Sequence, residues 1–231
     1  MTLLNISPFA ISRWGPFFNH FDLFFKGFLY TLGISFGALL LALILGILSG
    51  GLSTSKSKVG KLISRIYVEV FQNTPLLVQM VFVYYGLAII SNGHVMISAF
   101  FTAVLCVGLY HGAYISEVIR SGIEAVPKGQ TEAALAQGFT ANQTMQLIIL
   151  PQAVRTILPP MTNQVVNLIK NTSTVAIISG ADIMFVAKAW AYDTTNYIPA
   201  FAGAAIFYFV ICFPLASWAR KQEELNKKTY S

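Results

Sequence analysis

The sequence predicts an all-α integral membrane protein that crosses the bilayer five times. Of its 231 residues, 55% are apolar and only 10% are charged, and the mean hydropathy is +0.65. Nine acidic and fifteen basic side chains are too few to cover the surface of a soluble domain of this length. Five stretches are apolar enough to span about 30 Å of hydrocarbon. These observations exclude an ordinary soluble enzyme.

The five predicted spans follow from stretches of about 20 mainly apolar residues. They cover about residues 27–48, 66–90, 95–115, 157–178 and 200–218. Small residues in the first span, at Gly33, Gly37 and Gly46, favour close helix packing. Pro75 interrupts the second span, because proline removes one backbone hydrogen bond and frees a carbonyl that neighbouring groups must satisfy.

Prolines also shape the fourth span, which is the most polar of the five. We expect this span to open after Pro159 and Pro160, and Pro151 to bend or interrupt the helix that precedes it. Residues 182–196 are semi-polar and aromatic, so they are predicted to form an interfacial helix outside the bilayer.

Charged residues on that interfacial segment are compatible with two interpretations. Asp182, Lys188 and Asp193 could line an outer gate of a transport path. They could equally be the solvated side chains of a helix that lies in the wet membrane interface. The sequence alone favours neither interpretation.

Basic side chains cluster at the predicted ends of the spans. Eleven of the fifteen fall on one side of the membrane when the number of spans is odd: Lys56, Lys58, Lys61, Arg65, Arg120, Lys128, Arg155, Arg220, Lys221, Lys227 and Lys228. Cytoplasmic loops hold the excess of Lys and Arg, so the N-terminus is predicted outside and the C-terminus in the cytoplasm. Residues 1–15 have no basic n-region and no long apolar core, so the first span is expected to direct insertion. We interpret residues 1–231 as one membrane domain.

The largest predicted cytoplasmic loop, residues 116–156, favours helix over an extended linker. Residues 130–137 are helix-prone, and Gly138 is expected to end that helix in the left-handed region of backbone conformation. Thr140 and Gln143 have the spacing of a capping box, which begins a second helix. The loop is therefore predicted to be a short helix, a glycine corner and another helix, with a small-residue surface suited to a groove on a partner.

One pattern in this loop is specific. The fixed positions of E-A-A-x3-G-x9-I-x-L-P are all matched, by Glu132, Ala133, Ala134, Gly138, Ile148, Leu150 and Pro151. This pattern resembles the EAA loop of the permease subunits of ATP-binding-cassette (ABC) importers. Further strings are similar to the polar amino acid permeases of the histidine, glutamine and arginine type, at residues 73–79, 84–86, 149–153 and 168–173. The resemblance covers about residues 20–220.

The resemblance implies a type I ABC importer permease fold, in which the EAA loop forms a coupling helix that sits in a cleft of a separate ATPase. It implies three partners: ABC ATPase subunits, a second permease that is identical or homologous, and an extracellular or periplasmic solute-binding protein. ATP and Mg would be bound by the ATPase, and no cofactor is expected in this chain. It also implies a place in the bacterial plasma (inner) membrane. The alternative for Glu132 is a solvated acid that favours the helix dipole.

Polar residues at membrane depth are costly and normally face a cavity, another helix or a partner. We predict a substrate pathway from Gln72, Asn73, Thr74, Gln79, Asn163, Gln164, Asn167 and Lys170. Amides can donate to a substrate carboxylate and accept from its ammonium group, and Lys170 adds a positive charge. The alternative is that the amides only hold helices together, each bond contributing roughly 1 kcal/mol.

The expected solute is a polar amino acid that is not a cation, such as glutamine or glutamate. Lys170 supports this preference, although it could equally pair with Glu69 or with an acid at the outer face. Many permeases of the resembled family carry Arg where this chain has Gln72, so one expected charge pairing is missing here.

No enzymatic apparatus is visible in the sequence. It contains no G-x4-G-K-[ST], G-x-S-x-G or H-E-x-x-H pattern, so we expect ATP to be hydrolysed by another polypeptide. Cys106, Cys212 and His111 are interpreted as packing residues, and no metal site is predicted. A secondary transporter or channel for a small polar solute is the alternative, but only Glu69 and Lys170 approach an intramembrane ion relay.

Overall fold

The computed structural model describes residues 10–230 and is helical wherever that range is regular, with no strand in it. The helices are α1 Trp14–Asn19, α2 Phe21–Thr54, α3 Lys58–Gln72, α4 Leu76–Val81, α5 Leu87–Ile90, α6 Ala99–Glu124, α7 Lys128–Ala136, α8 Ala141–Gln143, α9 Leu150–Asn171, α10 Ile183–Thr194 and α11 Tyr197–Tyr230. Two 3-10 segments cover Ile11–Arg13 and Thr172–Ile178, and two π-helical turns cover Phe82–Gly86 and Thr144–Ile149. The predicted all-α architecture is confirmed. Most of the segment that lacks signal-peptide features, residues 1–9, lies outside the described residues.

Three helices in the described range are long and apolar enough to cross a membrane, at Phe21–Thr54, Ala99–Glu124 and Tyr197–Gln222. Two further pairs pass the same test together but are bent where they meet, namely Lys58–Gln72 with Leu76–Ile90 and Ala141–Ile178 with Ile183–Thr194. The number reaches five only if each bent pair is one span. Five spans, and a position of α10 outside the bilayer, therefore stay predictions.

Prolines interrupt these helices at one place and are accommodated at others. α3 ends at Gln72 and α4 begins after Pro75, so the predicted break is confirmed. The prediction that the fourth span opens after Pro159 and Pro160 is wrong, because α9 runs through both. Each of these prolines removes only one hydrogen bond, to a carbonyl four residues earlier on an exposed part of the helix. Pro151 is the second residue of α9, which begins directly after a π-helical turn, so the helix is not interrupted there.

The chain contains two compact units that interleave along the sequence. The first comprises residues Met1–Ala38, Leu76–Val107 and Leu168–Pro214, and the second comprises Leu39–Pro75, Gly108–Asn167 and Leu215–Ser231. Helices α2, α6, α9 and α11 each contribute residues to both. One domain over the whole chain stays a prediction.

An aromatic cluster forms the core of the first unit. Phe17 and Phe24 pack with ring centroids 4.7 Å apart, and Trp190 of α10 lies 5.6 Å from Phe24. One face of α10 is buried in this cluster, through Ile183, Val186, Ala187, Trp190 and Ala191. Because so much of its surface is buried, α10 is an integral part of this unit rather than a loosely attached surface helix.

Asp182 caps this buried helix. Its carboxylate accepts from the amides of Met184 at 3.2 Å and Phe185 at 2.9 Å, and from the Tyr208 hydroxyl at 3.3 Å. The side chain is fully buried, so Asp182 is neither a solvated interface residue nor open to a solute in this structure. Lys188, by contrast, is exposed on α10.

Close helix contacts organise the second unit, and Gly46 of α2 lies at one of the tightest, equalled by Gly122 of α6. A Cβ atom at Gly46 would lie 2.3 Å from Ile115 Cγ2 and 3.1 Å from the Gly112 carbonyl oxygen. The absence of a side chain therefore allows α2 and α6 to approach each other, as the small-residue pattern predicts.

Candidate functional site

The residues of the EAA-type corner form the predicted turn. Helix α7 is capped by Gln137, and Gly138 follows with φ = +87°. The Gly138 amide donates to the Leu135 carbonyl at 3.0 Å, and the Phe139 amide donates to the Ala134 carbonyl at 3.1 Å. These two bonds form a Schellman motif, which satisfies carbonyls left open at the helix end. The predicted left-handed glycine is confirmed.

A capping box begins the second helix of the loop, also as predicted. Thr140 Oγ1 accepts from the Gln143 amide at 3.3 Å, and Gln143 Oε1 accepts from the Thr140 amide at 2.8 Å. The π-helical turn that follows packs against α7 and leads into α9. Ile148 is half-buried in that turn, while Leu150 and Pro151 are exposed at the start of α9.

The EAA triplet places different side chains on different faces of α7. Glu132 and Ala133 are exposed, whereas Ala134 is buried and holds the helix against its own unit. Leu135 is 49% exposed. Ala134 is thus the one buried residue of α7, and Glu132, Ala133, Leu135 and Ala136 are exposed on a helix that ends at the Gly138 corner.

Two of the predicted pathway residues meet at one cavity. Gln72, the last residue of α3, and Gln164 of α9 line a cavity of about 390 Å³, together with Tyr114 and Glu117 of α6. Its volume falls within the range of small-molecule sites, about 300–1,000 Å³. The Gln72 side-chain amide also donates to the Ala113 carbonyl at 3.2 Å, so it holds α3 to α6 at the same time. Tyr114 and Glu117 were not predicted from the sequence.

The polar residues of α9 point to different surroundings. Asn163 and Asn167 are exposed and, being four residues apart, lie on one face of the helix. Lys170 is exposed as well. Gln164 is half-buried and hydrogen-bonds to His111, which is only 2% exposed, as expected of a packing residue. The face with Asn163 and Asn167 is therefore the part of α9 that its own unit leaves open.

The other predicted pathway residues lie near the break at Pro75. The Asn73 side chain donates to the Glu69 carbonyl at 2.8 Å and to the Glu69 carboxylate at 2.9 Å. The Thr74 hydroxyl donates at 2.8 Å to the carbonyl four residues earlier. Both side chains thus bond back to α3, although both are exposed. Gln79 is half-buried on α4 and belongs to the other compact unit.

Three serines that the sequence analysis missed form a buried hydrogen-bonded trio. Ser116 Oγ donates to Ser49 Oγ at 2.9 Å, and the hydroxyls of Ser49 and Ser64 are 2.8 Å apart. The trio links α2, α3 and α6. Nearby, the Tyr67 hydroxyl donates to the Leu109 carbonyl at 2.7 Å. The available signal was a few small hydroxyl residues in apolar stretches, which indicates helix packing in general but not which residues meet.

No cluster of metal-ligand side chains occurs in the described part of the chain. Across residues 10–230, no three His, Cys, Asp or Glu side chains are placed to hold a metal ion. Cys106 and Cys212 are both buried thiols and form no disulfide.

Comparison with known proteins shows the family to which the chain belongs. A family model described as the binding-protein-dependent transport system inner membrane component matches residues 25–224. The chain belongs to this family. The permease is thus a multi-pass inner-membrane component of a transport system, which is consistent with a subunit that is not itself an enzyme.

Curated relatives agree over almost the whole permease. It is 34% identical over 213 residues to the probable glutamine ABC transporter permease protein GlnM of Bacillus subtilis (strain 168), covering 92% of this chain and 97% of that protein. It is 36% identical over 200 residues to the probable amino-acid ABC transporter permease protein PatM of Vibrio harveyi, covering 85% of this chain and 89% of that protein.

Solved structures show the same fold. A crystal structure of an amino acid ABC transporter with histidines aligns with TM-score 0.84 and 31% identity, covering 91% of the permease and 97% of that chain. The MetNI methionine ABC transporter in an inward-facing conformation aligns with TM-score 0.66 and 18% identity, covering 88% and 98%. At that identity the second match concerns the fold alone. The predicted type I ABC importer permease fold is confirmed.

Proposed function

We propose that this permease is the membrane subunit of an ATP-driven importer of a polar amino acid, with glutamine or glutamate as the favoured solute. The observation that carries the proposal is the complete EAA pattern on a helix that ends in a left-handed Gly138 and exposes Glu132. The relatives named as glutamine permeases support the solute class. The exposed Lys170 adds a positive charge suited to a carboxylate.

The partners follow from the same proposal. Helix α7 docks in a cleft of a separate ABC ATPase subunit, which binds ATP and Mg. A second permease, identical or homologous, completes the path, and an external solute-binding protein delivers the amino acid. The excess of Lys and Arg supports an outside N-terminus and a cytoplasmic C-terminus, which places α7 on the side of the ATPase.

In the coupling mechanism, α7 moves as one rigid helix and transmits the movement of the ATPase. Glu132, Ala133 and Leu135 are among its exposed residues, and the buried Ala134 packs the helix against its unit. Closure of the ATPase around ATP moves this helix, and through it the inner helix ends. ATP can shift the permease between two states only because the ATPase contacts α7 differently in each.

The solute path is proposed to include Gln72, Asn73, Thr74, Gln79, Asn163, Gln164, Asn167 and Lys170. The cavity shared by Gln72 and Gln164 supports this assignment, since it brings two amides beside Glu117 and Tyr114. Amide oxygens and a carboxylate can accept from an ammonium group, and amide nitrogens can donate to a carboxylate.

Reconstitution tests the function directly. The permease is co-expressed with its ATPase, placed in proteoliposomes, and supplied with the cognate binding protein and labelled glutamine or glutamate. We expect uptake that requires both ATP and the binding protein. Proton-driven uptake by the permease alone would instead establish a secondary transporter and refute the proposal.

Replacing Glu132 by lysine tests the docking surface. We expect Glu132→Lys to insert normally but to lose most co-elution with the ATPase and most transport-linked ATP hydrolysis, because it reverses the charge of an exposed coupling residue. Glu224→Lys is the matched control, since it makes the same charge change at another exposed site. Unchanged co-elution and hydrolysis in Glu132→Lys would show that Glu132 is only a solvated acid.

Replacing Asn163 by leucine separates a pathway role from helix packing. We expect Asn163→Leu to lower ATP-driven uptake about tenfold or more, because a polar group of the solute that passes this face would lose its hydrogen-bond partner, which costs about 1–3 kcal/mol. Asn163→Gln, which keeps an amide, should retain more uptake. Unfolding temperature and permease pairing should not change. Loss of pairing with normal uptake per assembled complex would assign Asn163 to a helix contact.

A further inference from the structure

Two adjoining cavities lie in the unit that contains α3, on the side with the loop between α6 and α9. Their volumes are about 570 and 440 Å³, and they share Ser53 and Lys61. The larger one also reaches Lys128, the first residue of α7, and the smaller one reaches Arg65 and Arg120. Four cations therefore line two neighbouring cavities that share two residues.

The carboxylates present neutralise only part of that charge. Arg120 is fully engaged, since it hydrogen-bonds to both Glu117 and Glu124. Arg65 lies 3.9 Å from Glu69, and the side chains are 78% and 59% exposed, so this is a loose surface pair.

Lys61 and Lys128 are the two cations left without an ion pair, and the lining as a whole, with four cations against the carboxylates of Glu69, Glu117 and Glu124, keeps one net positive charge. Among the residues that the structure describes, neither side chain has a carboxylate within ion-pair distance. Both line the larger cavity, together with Ser53, Thr54 and Thr131 and with Glu124, whose carboxylate is paired with Arg120. Two ammonium groups that face one polar cavity favour an anionic ligand.

The neighbouring surface of α3 indicates which kind of anion fits. No acid occurs between Asp22 and Glu69 along the chain, while residues 56–65 contain four cations. The opposite face of α3 is apolar and more than half exposed, through Val59, Leu62, Ile63, Ile66 and Val70. Leu62 lies one helical turn from both Arg65 and Ile66, so the cationic and apolar surfaces meet along one edge of the helix.

We propose that this pair of cavities binds the phosphate headgroup of an anionic phospholipid whose acyl chains lie along the exposed edge of α3 at Leu62 and Ile66. A free phosphate would use only the cations, whereas a phospholipid uses both surfaces that the helix offers. Basic pockets between membrane helices on the cytoplasmic side are suited to anionic headgroups, and the orientation proposed above places these cavities on that side.

The site also links lipid binding to the coupling loop, because Lys61 lies on α3 and Lys128 begins α7. A headgroup held by both ammonium groups connects the two helices through one anion. Lipid composition therefore adjusts how firmly α7 is held. This inference goes beyond the proposed transport function and does not depend on the identity of the solute.

Direct counting of bound lipid tests the proposal. The permease–ATPase complex is placed in phosphatidylcholine nanodiscs with increasing phosphatidylglycerol, and the lipid retained after release into detergent is measured by native mass spectrometry. We expect preferential retention of phosphatidylglycerol. Each cation removed should weaken it about fivefold, and Lys61→Gln with Lys128→Gln about thirtyfold.

Matched variants decide the outcome. Lys26→Gln with Lys188→Gln removes two exposed cations from the other unit and should change retention less than twofold. Lys61→Arg with Lys128→Arg keeps the charge and should retain the lipid, which excludes misfolding as the cause. An equal loss of phosphatidylglycerol retention in the Lys26 and Lys188 variant would show that the lipid responds only to general surface charge. That result would refute the proposed site.

Two further arms distinguish a lipid from a free anion or a protein. Leu62→Gln with Ile66→Gln should weaken phosphatidylglycerol retention, and excess inorganic phosphate should not displace the lipid completely. Complete displacement by phosphate, or unchanged retention in the Leu62 and Ile66 variant, would show a free-anion site instead.

Loss of the ATPase with undiminished lipid in the Lys61 and Lys128 variant would assign these cations to a protein contact. Because lipid counting needs no transport, its failure leaves the importer function standing.

Discussion

Replacing Gly138 by valine is expected to leave the protein in the membrane while abolishing most transport-linked ATP hydrolysis. Gly138 has φ = +87°, where a β-branched residue is strained by at least about 1–2 kcal/mol. The strain is relieved by opening the Schellman bonds of Gly138 to Leu135 and of Phe139 to Ala134. Helix α7 would then lose the corner that fixes its direction.

Two other glycine variants separate this effect from a general loss of stability. Gly138→Asn keeps a residue that tolerates the left-handed region, so it should retain more ATP hydrolysis than Gly138→Val. Gly129→Ala lies in the same helix, with no atom near the added methyl group, and should be close to normal. Hydrolysis, ATPase co-elution and the unfolding temperature are measured for all three. Normal coupled hydrolysis in Gly138→Val would mean that the corner is not needed for coupling.

The loop between α6 and α9 was predictable because its structure depends on local chemistry. Gly138 ends α7 for lack of a Cβ atom, and Thr140 and Gln143 bond to each other across three residues. Such signals act within one helical turn and need no knowledge of distant parts of the chain. The break at Pro75 belongs to the same class, since proline cannot donate a backbone hydrogen bond.

Other features depend on contacts that no local pattern encodes. Pro159 and Pro160 favour a helix break by local preference, yet α9 continues through both of them. Asp182 looks like a solvated acid in sequence, but the packing of α10 buries it as a cap. Gln72 and Gln164 are 92 positions apart, so only the fold reveals that they share one cavity.

The serine trio is another contact that the sequence does not reveal. Ser49, Ser64 and Ser116 come from three helices, and each is an ordinary small residue in its own segment. Their meeting requires α2 and α6 to lie very close together. That approach is made by glycines, among them Gly46.

Replacing Gly46 by leucine is expected to destabilise the protein strongly. The first added atom would lie 2.3 Å from Ile115 Cγ2 and 2.7 Å from its Cβ, and the Gly112 carbonyl oxygen at 3.1 Å limits escape in another direction. The Ile115 Cβ atom and the Gly112 carbonyl oxygen are fixed to the backbone of α6 and cannot move away by side-chain rotation. Helices α2 and α6 must therefore separate. Overpacking of this kind costs about 1–3 kcal/mol or more, and separation also strains the bond between Ser49 and Ser116.

Gly51→Leu is the matched control for this variant. It makes the same change five positions later on α2, where an added Cβ meets no atom within 4 Å. We expect Gly46→Leu to lower the unfolding temperature in detergent and the yield of folded protein, while Gly51→Leu stays near the parent. A second substitution, Ile115→Ala, should partly restore Gly46→Ala, because it removes Cγ2, the nearer of the two Ile115 atoms, while Cβ stays in place. Equal unfolding temperatures for the two leucine variants would mean that α2 and α6 do not pack closely at Gly46.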